Sequence, residues 1–375
     1  MKVKANEVKK MLKVAIVHEW FSGEGGSEKV VKALHEIFPE APVYVLVYDK
    51  NSMPKEYNDM DVRTSWLQKI PFSKKKYQNL LPLMPNAVEQ YDLSEFDLVL
   101  SSSTCCAKGV LTKANTIHIC YCHTPMRYAW DLYHDYKKSK NKIMQLIIAW
   151  QMKGIRQWDR LSADRVDFFI ANSSYVGKRI FKTYRRDSEV IFPPVNTTFY
   201  TPGDEQGDYY YIVSRLVSYK RIDIAVQAFN DLGLPLIITG GGPELAKYKK
   251  MAKSNIIFTG KVTDDEVRDY YRGCKAFIFP GEEDFGITPV EAQACGKPVL
   301  AFGKGGALET VIEGKTGMFF YQQNKEELKD VILQFEEKKI SFDKEFIRKH
   351  AETFSNEVFK MKINKFISSK VKFKE

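Results

Sequence analysis

Two consecutive α/β units, each a doubly wound parallel sheet of the Rossmann-like kind, are predicted by three features of this sequence. It opens with an apolar strand, a glycine-bearing loop and an apolar-periodic helix between Lys13 and Ile37, the order that begins such a unit. Near its middle, Phe192-Pro-Pro-Val-Asn-Thr-Thr-Phe-Tyr-Thr-Pro-Gly-Asp-Glu-Gln-Gly207 combines three prolines with two glycines and interrupts any regular element. A second strand-helix series then begins at Tyr209. At 375 residues the chain is too long for one ordinary core and suits two.

In the first unit, strands are expected at Lys13 to Val17, Pro42 to Val47, Phe96 to Ser101, Thr116 to Tyr121 and Val166 to Ala171. His18 to Ser27 reads as a loop feeding a helix from about Glu28 to Ile37, and Ser173 to Tyr184 as another helix. Apolar runs alternating with helical patterns imply a parallel sheet covered on both faces. In the second unit, strands are expected at Tyr209 to Ser214, Pro235 to Thr239, Asn255 to Thr259, Ala276 to Phe279 and Val299 to Phe302. A last helix, capped by Ser355, places Val358, Met361 and Phe366 near one stripe. The expected organisation is residues 1–195, 196–352 and a C-terminal helix within 353–375.

Hydrophobic content of 44% and aromatic content of 13% exclude a disordered chain. The formal charge of +10 is uneven: residues 1–200 carry +9, 201–350 carry −2 and 351–375 carry +3. A basic half means either a solvated lysine-rich face or an anionic partner. Without a nucleic-acid module or interleaved aromatics, nucleic acid is not expected. An anionic membrane surface fits the runs Ser73-Lys-Lys-Lys-Tyr77 and Lys137-Lys-Ser-Lys-Asn-Lys142 beside the apolar stretch Ile143 to Met152. That stretch is too short to span a bilayer and reads equally as a helix packed inside the first unit. Met1 to Lys10 lacks the apolar core of a secretion signal, so the expected location is cytoplasmic, peripheral on the inner face of the membrane. Six cysteines are expected reduced and mostly buried. Cys120 and Cys122 are read as pointing to opposite strand faces and thus poorly placed to share a metal. The sequon at Asn196 is read as chance.

The chemistry concentrates at expected strand ends, where open parallel sheets bind ligands. Glu283 and Glu291 stand eight positions apart, the first on a loop leaving a strand, the second about one turn into a helix beginning near Gly286. That helix's free amides and positive end make an anion site at Phe285, Gly286, Ile287 and Thr288 with two carboxylates beside it. A nucleotide sugar needs this combination: N–H donors for its diphosphate and charged acceptors for its hydroxyls. A solvated acidic turn is the plain alternative. Arg215 and Lys220 follow the second unit's first strand, and two fixed cations suit a departing diphosphate. Gly241, within Gly240-Gly241-Gly242, closes the next strand and permits close approach or merely a tight turn. Gly25 and Gly26 precede a helix and either admit a phosphate or form a flexible loop. Glu28 supports the first turn of that helix. His123 follows an apolar strand, so structural and catalytic readings are evenly balanced.

The segment from Phe277 to Ala301 resembles the E-x7-E signature of retaining glycosyltransferases of family four, whose GT-B architecture has two facing Rossmann-like domains and a last helix crossing back to the first. The resemblance implies that Glu283 lies by the donor sugar and Glu291 by the ribose. Arg215 and Lys220 look like the family's R-x4-K diphosphate pair, and Thr259-Gly-Lys-Val262 like its nucleobase turn, with Val262 the contact. Cys122-His-Thr-Pro-Met-Arg-Tyr-Ala-Trp-Asp131 is similar to the H-T-P-x-R-Y-x-W motif of bacterial polysaccharide and O-antigen mannosyltransferases. By that similarity His123 contacts the transferred sugar and Arg127 the acceptor side or the loop. One departure is Pro280-Gly281, where many relatives carry Pro-Ser.

The resemblance implies hexose transfer with retention, GDP-mannose as donor and a glycan or polyprenyl-linked acceptor, as in lipopolysaccharide and other surface polysaccharides. No cofactor or metal is expected, and Asp59-Met60-Asp61 reads as a loop. The rivals are a nucleotide-sugar epimerase or phosphorylase of the same architecture, and a non-catalytic polyanion- or membrane-binding protein.

Overall fold

The computed structural model describes residues 12–138, 141–204, 207–337 and 342–371. Met1 to Lys10 and part of the basic run from Lys137 to Lys142 lie outside the described residues. The chain divides into one unit of residues 1–193 with 359–375 and another of 194–358, against the expected boundaries after 195 and 352.

The first unit is a seven-stranded parallel sheet: β1 Val14–Phe21, β2 Val43–Tyr48, β3 Val62–Thr64, β4 Leu98–Ser103, β5 Ile117–Cys122, β6 Phe168–Ala171 and β7 Ser188–Val190, in the order β3-β2-β1-β4-β5-β6-β7. Every residue of β4 and β5 is buried, as a central parallel strand covered on both faces requires. Strand order reverses between β1 and β4, leaving a crevice beyond their carboxyl ends. β1 is longer than expected and carries His18 and Glu19 into the sheet, with His18 opposite Val45 on one side and Ser102 on the other. These polar residues stay in a buried strand because they have partners: Glu19 Oε1 accepts from Ser103 Oγ and from the amides of Thr104, Cys105 and Ala107.

Helix α1, Gly26–Ile37, follows β1 and buries Val30, Val31, Ala33 and Leu34. Helix α2, Lys142–Ser162, is capped by Asn141 and fully buries only Ile155, Asp159 and Ser162. Helix α3, Ser174–Tyr184, is capped by Ser173 Oγ, which accepts from Val176 N.

The second unit is a six-stranded parallel sheet: β8 Tyr210–Val213, β9 Leu236–Thr239, β10 Ile256–Gly260, β11 Phe277–Phe279, β12 Val299–Phe302 and β13 Gly317–Phe320, ordered β10-β9-β8-β11-β12-β13. Its reversal lies between β8 and β11. Helices α4 Ile222–Leu232, α5 Leu245–Met251, α6 Asp264–Gly273, α7 Ile287–Ala294, α8 Lys325–Glu336 and α9 Lys344–Glu352 accompany it. Both sheets match the expected doubly wound class.

Helix α10, Asn356–Val371, starts where Ser355 Oγ accepts from Val358 N, as expected. The buried stripe is Phe359, Ile363, Phe366 and Ile367, packed in the core of the first unit with Leu34 and Tyr121. Met361 instead is 61% exposed. The i, i+4, i+7, i+8 spacing from Phe359 selects the inward face, and Met361 lies off it. At about 1.5–3 kcal/mol per buried side chain, these four residues weld the helix to that core.

Cys120 and Cys122 share one buried cluster with Phe169, Val176 and Tyr184, correcting the opposite-face reading, since residues two apart on a strand point the same way. All six cysteines are free and buried. No helix among the described residues is long and apolar enough to cross a membrane.

Candidate active site

In the second unit the crevice-side ends of β8 and β11 bring the expected charges together. Arg215 and Lys220 lie on the loop after β8, Arg215 exposed and Lys220 in a single helical turn, Ser218–Lys220. Glu283 lies on the loop after β11, and its Oε1 pairs with Lys220 Nζ, the two side chains being 22% and 16% exposed. Gly281 permits this approach: a Cβ there would lie 3.0 Å from the Lys220 carbonyl oxygen. From the far side Gly306 N donates to the Glu283 carbonyl at 2.9 Å, and a Cβ on Gly306 would lie 2.3 Å from the Phe285 backbone. Glycines on two loops, after β11 and after β12, thus set Glu283 against Lys220.

Gly286, at φ +85°, precedes α7 and has no side chain to cap it. The first-turn amides of α7 therefore keep a positive end toward a ligand, with Pro289 contributing no donor. Ile287 and Thr288 are half-buried there. Phe285 is turned inward on Phe354 with ring centroids 5.8 Å apart, so its side chain secures the turn. Glu291, one turn further on, is 5% exposed, and its Oε2 accepts from Tyr271 Oη at 3.1 Å. Burial and the Glu291 charge push the Tyr271 phenol well above its usual range, so it stays a donor.

The glycine loop after β9 has a packing reason of its own. A Cβ on Gly240 or Gly242 would lie 2.0 Å from Ser214 O or 2.3 Å from Leu216 O, and Leu216 N donates to Gly241 O at 2.9 Å. The loop therefore buttresses the backbone on either side of Arg215. Val262, half-buried, precedes Thr263, whose side chain accepts from Glu266 N to cap α6.

The other expected residues belong to the first unit. Gly25 caps α1, and its N–H donates to Glu28 Oε2 at 3.0 Å, an oxygen that also accepts from Ser27 Oγ. Glu28 supports the first turn as expected, and the Gly25 amide is thereby engaged. Gly26 is the first helical residue. His123 sits just past β5, 8% exposed, with Nε2 at 2.8 Å from Ser102 Oγ and its backbone amide donating to Ser103 O. Burial and then the nearby His18 charge hold its imidazole down to about 3, so the ring is neutral.

Arg127 is half-buried in the turn after His123, with its carbonyl accepting from Leu132 N at 2.7 Å. That turn is pinned on both sides of Arg127: Met126 and Ala129 are buried, Tyr128 Oη lies 2.6 Å from Cys105 Sγ, and Trp130 Nε1 donates to Asp159 Oδ2 at 2.7 Å. Asp159 on α2 also accepts from Lys108 Nζ and Tyr184 Oη, all three side chains being buried. Burial would lower the Lys108 ammonium, but Asp159 outweighs it and the group is raised. Asp61 is engaged by Arg63 at 2.8 Å.

Tyr271, His18, Ser102 and Asp159 are contacts that sequence reasoning missed. The polar pair His18-Glu19 after an apolar strand and the triplet Ser101-Ser-Ser103 at a strand end were the available signals.

Two family models cover most of the chain: Glycosyltransferase Family 4 over residues 24–199 and Glycosyl transferases group 1 over residues 200–354. An uncharacterized glycosyltransferase of Methanocaldococcus jannaschii is 30% identical over 196 residues, 50% of this chain and 55% of that protein. The GDP-mannose-dependent alpha-(1-6)-phosphatidylinositol monomannoside mannosyltransferase of Mycolicibacterium smegmatis is 35% identical over 123 residues, 28% of this chain and 32% of that one. The matched stretches thus span about half or less of these relatives. Among solved structures, Anabaena HepE in complex with UDP and glucose superposes with a TM-score of 0.73 at 18% identity, over 96% of this chain and 100% of that one. With both of its units matched by models of this kind, the chain belongs to glycosyltransferase family 4 and has the GT-B fold.

Proposed function

We propose that the chain transfers a hexose from a nucleotide sugar to a hydroxyl of a glycan or polyprenyl-linked glycan, with retention at the anomeric carbon. The observation that carries this reading is the contact of Lys220 with Glu283 at the strand-order reversal of the second unit, beside Arg215 and the amino end of α7. Cations there meet the charge that builds on the bridging oxygen as the glycosidic bond breaks. Glu283 orients the sugar, and Glu291, steadied by Tyr271, accepts from the ribose hydroxyls. The acceptor oxygen bonds to the anomeric carbon on the face the diphosphate leaves, and the diphosphate takes the acceptor proton. Arg215, Lys220 and the helix amides fill the electrophilic role, so this scheme calls for no metal or cofactor. Mannose from GDP-mannose is favoured by the His123 motif and by the substrate in the name of the Mycolicibacterium relative.

An anionic membrane surface is the proposed site of work. Along α2, Ile143, Leu146 and Trp150 are 74%, 71% and 79% exposed, although a helix packed inside the unit would hide them. Phe72, 76% exposed, precedes Lys74, Lys75 and Lys76. Apolar side chains beside lysines fit a lipid interface.

A thermal-shift panel of nucleotide sugars, followed by turnover of each hit with and without a glycan acceptor, tests the assignment. Stabilisation by a GDP-sugar with acceptor-dependent release of GDP is expected. A protein indifferent to every nucleotide sugar is not a transferase, and acceptor-independent conversion of the donor marks an epimerase.

A further inference from the structure

Beyond the crevice contacts, the first unit contains a continuous chain of buried polar groups that the transfer scheme leaves unused. Glu28 Oε2 receives the Gly25 N–H and the Ser27 hydroxyl, and its Oε1 faces His18 Nε2 at 3.3 Å. His18 Nδ1 faces the Ser102 carbonyl oxygen at 3.0 Å, and Ser102 Oγ contacts His123 Nε2 at 2.8 Å. His18, Glu28, Ser102 and His123 are 1%, 5%, 0% and 8% exposed, respectively. A carbonyl oxygen only accepts, so His18 Nδ1 carries a proton. The carboxylate, already taking two donors on Oε2, faces Nε2 with an acceptor, so that nitrogen carries one too. His18 is therefore an imidazolium locked between α1 and β4.

We infer that Glu28 and His18 are positioning residues for His123: by holding the Ser102 backbone they fix the orientation of its ring, and they tie that ring to the glycine turn at Gly25. Ser102 Oγ occupies Nε2, which leaves Nδ1 as the nitrogen that meets a sugar hydroxyl. His18 supplies a fixed positive charge behind the ring, which opposes protonation of His123 and keeps it a neutral hydrogen-bonding group. This assignment rests on the transferase reading for its catalytic meaning, but the relay itself does not.

The surroundings agree with the charge assignment. Burial opposes the His18 cation, yet Glu28 from α1 and Glu19 from its own strand, with Oε2 at 3.7 Å, outweigh it and raise His18 above its usual 6.5. Burial likewise opposes the Glu28 anion, which His18 nevertheless holds below 4.5. Tyr57, another ionisable group near Glu28, is neutral and donates to Glu24 at 2.9 Å. The His18 cation is thus fully present below pH 6.5 and is lost only as pH rises through its elevated folded value.

Long-range 1H–15N spectra of the histidine rings in the full-length protein test the relay without any ligand. One histidine, assigned to His18 by its disappearance in H18Q, is expected to keep both ring nitrogens protonated above pH 6.5. In E28Q it should lose the second proton at a lower pH than in the parent, because only the more distant Glu19 carboxylate then opposes burial. In both variants the His123 ring signals should move, and in H18Q, which removes the opposing cation, its titration should shift upward. Turnover of GDP-mannose should fall on the order of tenfold to hundredfold with the donor KM little changed. Unmoved His123 signals in folded E28Q or H18Q would overturn the inference, and if E28Q does not fold, H18Q carries the same readout. A wild-type protein that shows the expected spectra but turns over no nucleotide sugar would sink the transferase reading and leave the relay standing.

Discussion

The strand-order reversal occurs once in each unit, and the two places are built on opposite plans. In the first, His18, Glu28, Ser102 and His123 are all buried and hydrogen-bonded to one another or to backbone. In the second, Arg215 is exposed and Lys220 rests on Glu283 at the edge of solvent. The first arrangement is geometry set in advance. The second is a pair of opposite charges that hold each other until a ligand with both anionic and hydroxyl groups offers each a better partner.

The sharpest way to break this contrast is to remove one cation from each unit. Lys108→Met leaves Asp159 with an uncompensated charge in the first core and should cost about 3–5 kcal/mol of stability, read by chemical denaturation. A loss below 1 kcal/mol would mean that the buried polar groups of that unit are not a rigid frame. Lys220→Ala should leave the melting temperature within a few degrees of the parent, because a partly solvated pair is worth under about 1 kcal/mol. Its turnover of nucleotide sugar should fall on the order of a hundredfold to a thousandfold, and a near-normal rate would remove Lys220 from the site. The smallest effect belongs to Tyr271→Phe, which takes one donor from Glu291. At about 1–2 kcal/mol it should raise the donor KM roughly five- to thirtyfold at similar kcat, and an unchanged KM would separate Glu291 from donor binding.

The sequence carried the doubly wound class and the position of each central strand, because strands covered on both faces must be apolar throughout. It did not carry β3 or β7, three-residue edge strands whose side chains are partly polar or exposed, nor β13, an apolar and mostly buried edge strand of only four residues. Val62-Arg-Thr64 has no periodicity to detect. At the second crevice, Lys220 and Glu283 were legible because both lie on loops directly after strands. Gly240 and Gly242 were legible as glycines, but their reason is the backbone of Ser214 and Leu216, which only the folded chain brings near. In the first unit His18 was misplaced in a loop, since polarity ordinarily ends a buried strand. Its partners come from Glu28 and from Ser102, 84 positions away, and such pairing leaves no local trace.

Helix α10 gives biogenesis a fixed timetable. The hydrophobic interior begun by β1 is finished by Phe359, Ile363, Phe366 and Ile367, which follow β1 only after the whole second unit. During translation the earlier half emerges with an apolar trough open along Leu34 and Tyr121, and the ribosome must make the entire intervening domain before the plug exists. A nascent chain stalled within that domain would display a sticky groove to chaperones, and full protease resistance of the amino-terminal half would arrive only after the second unit is made.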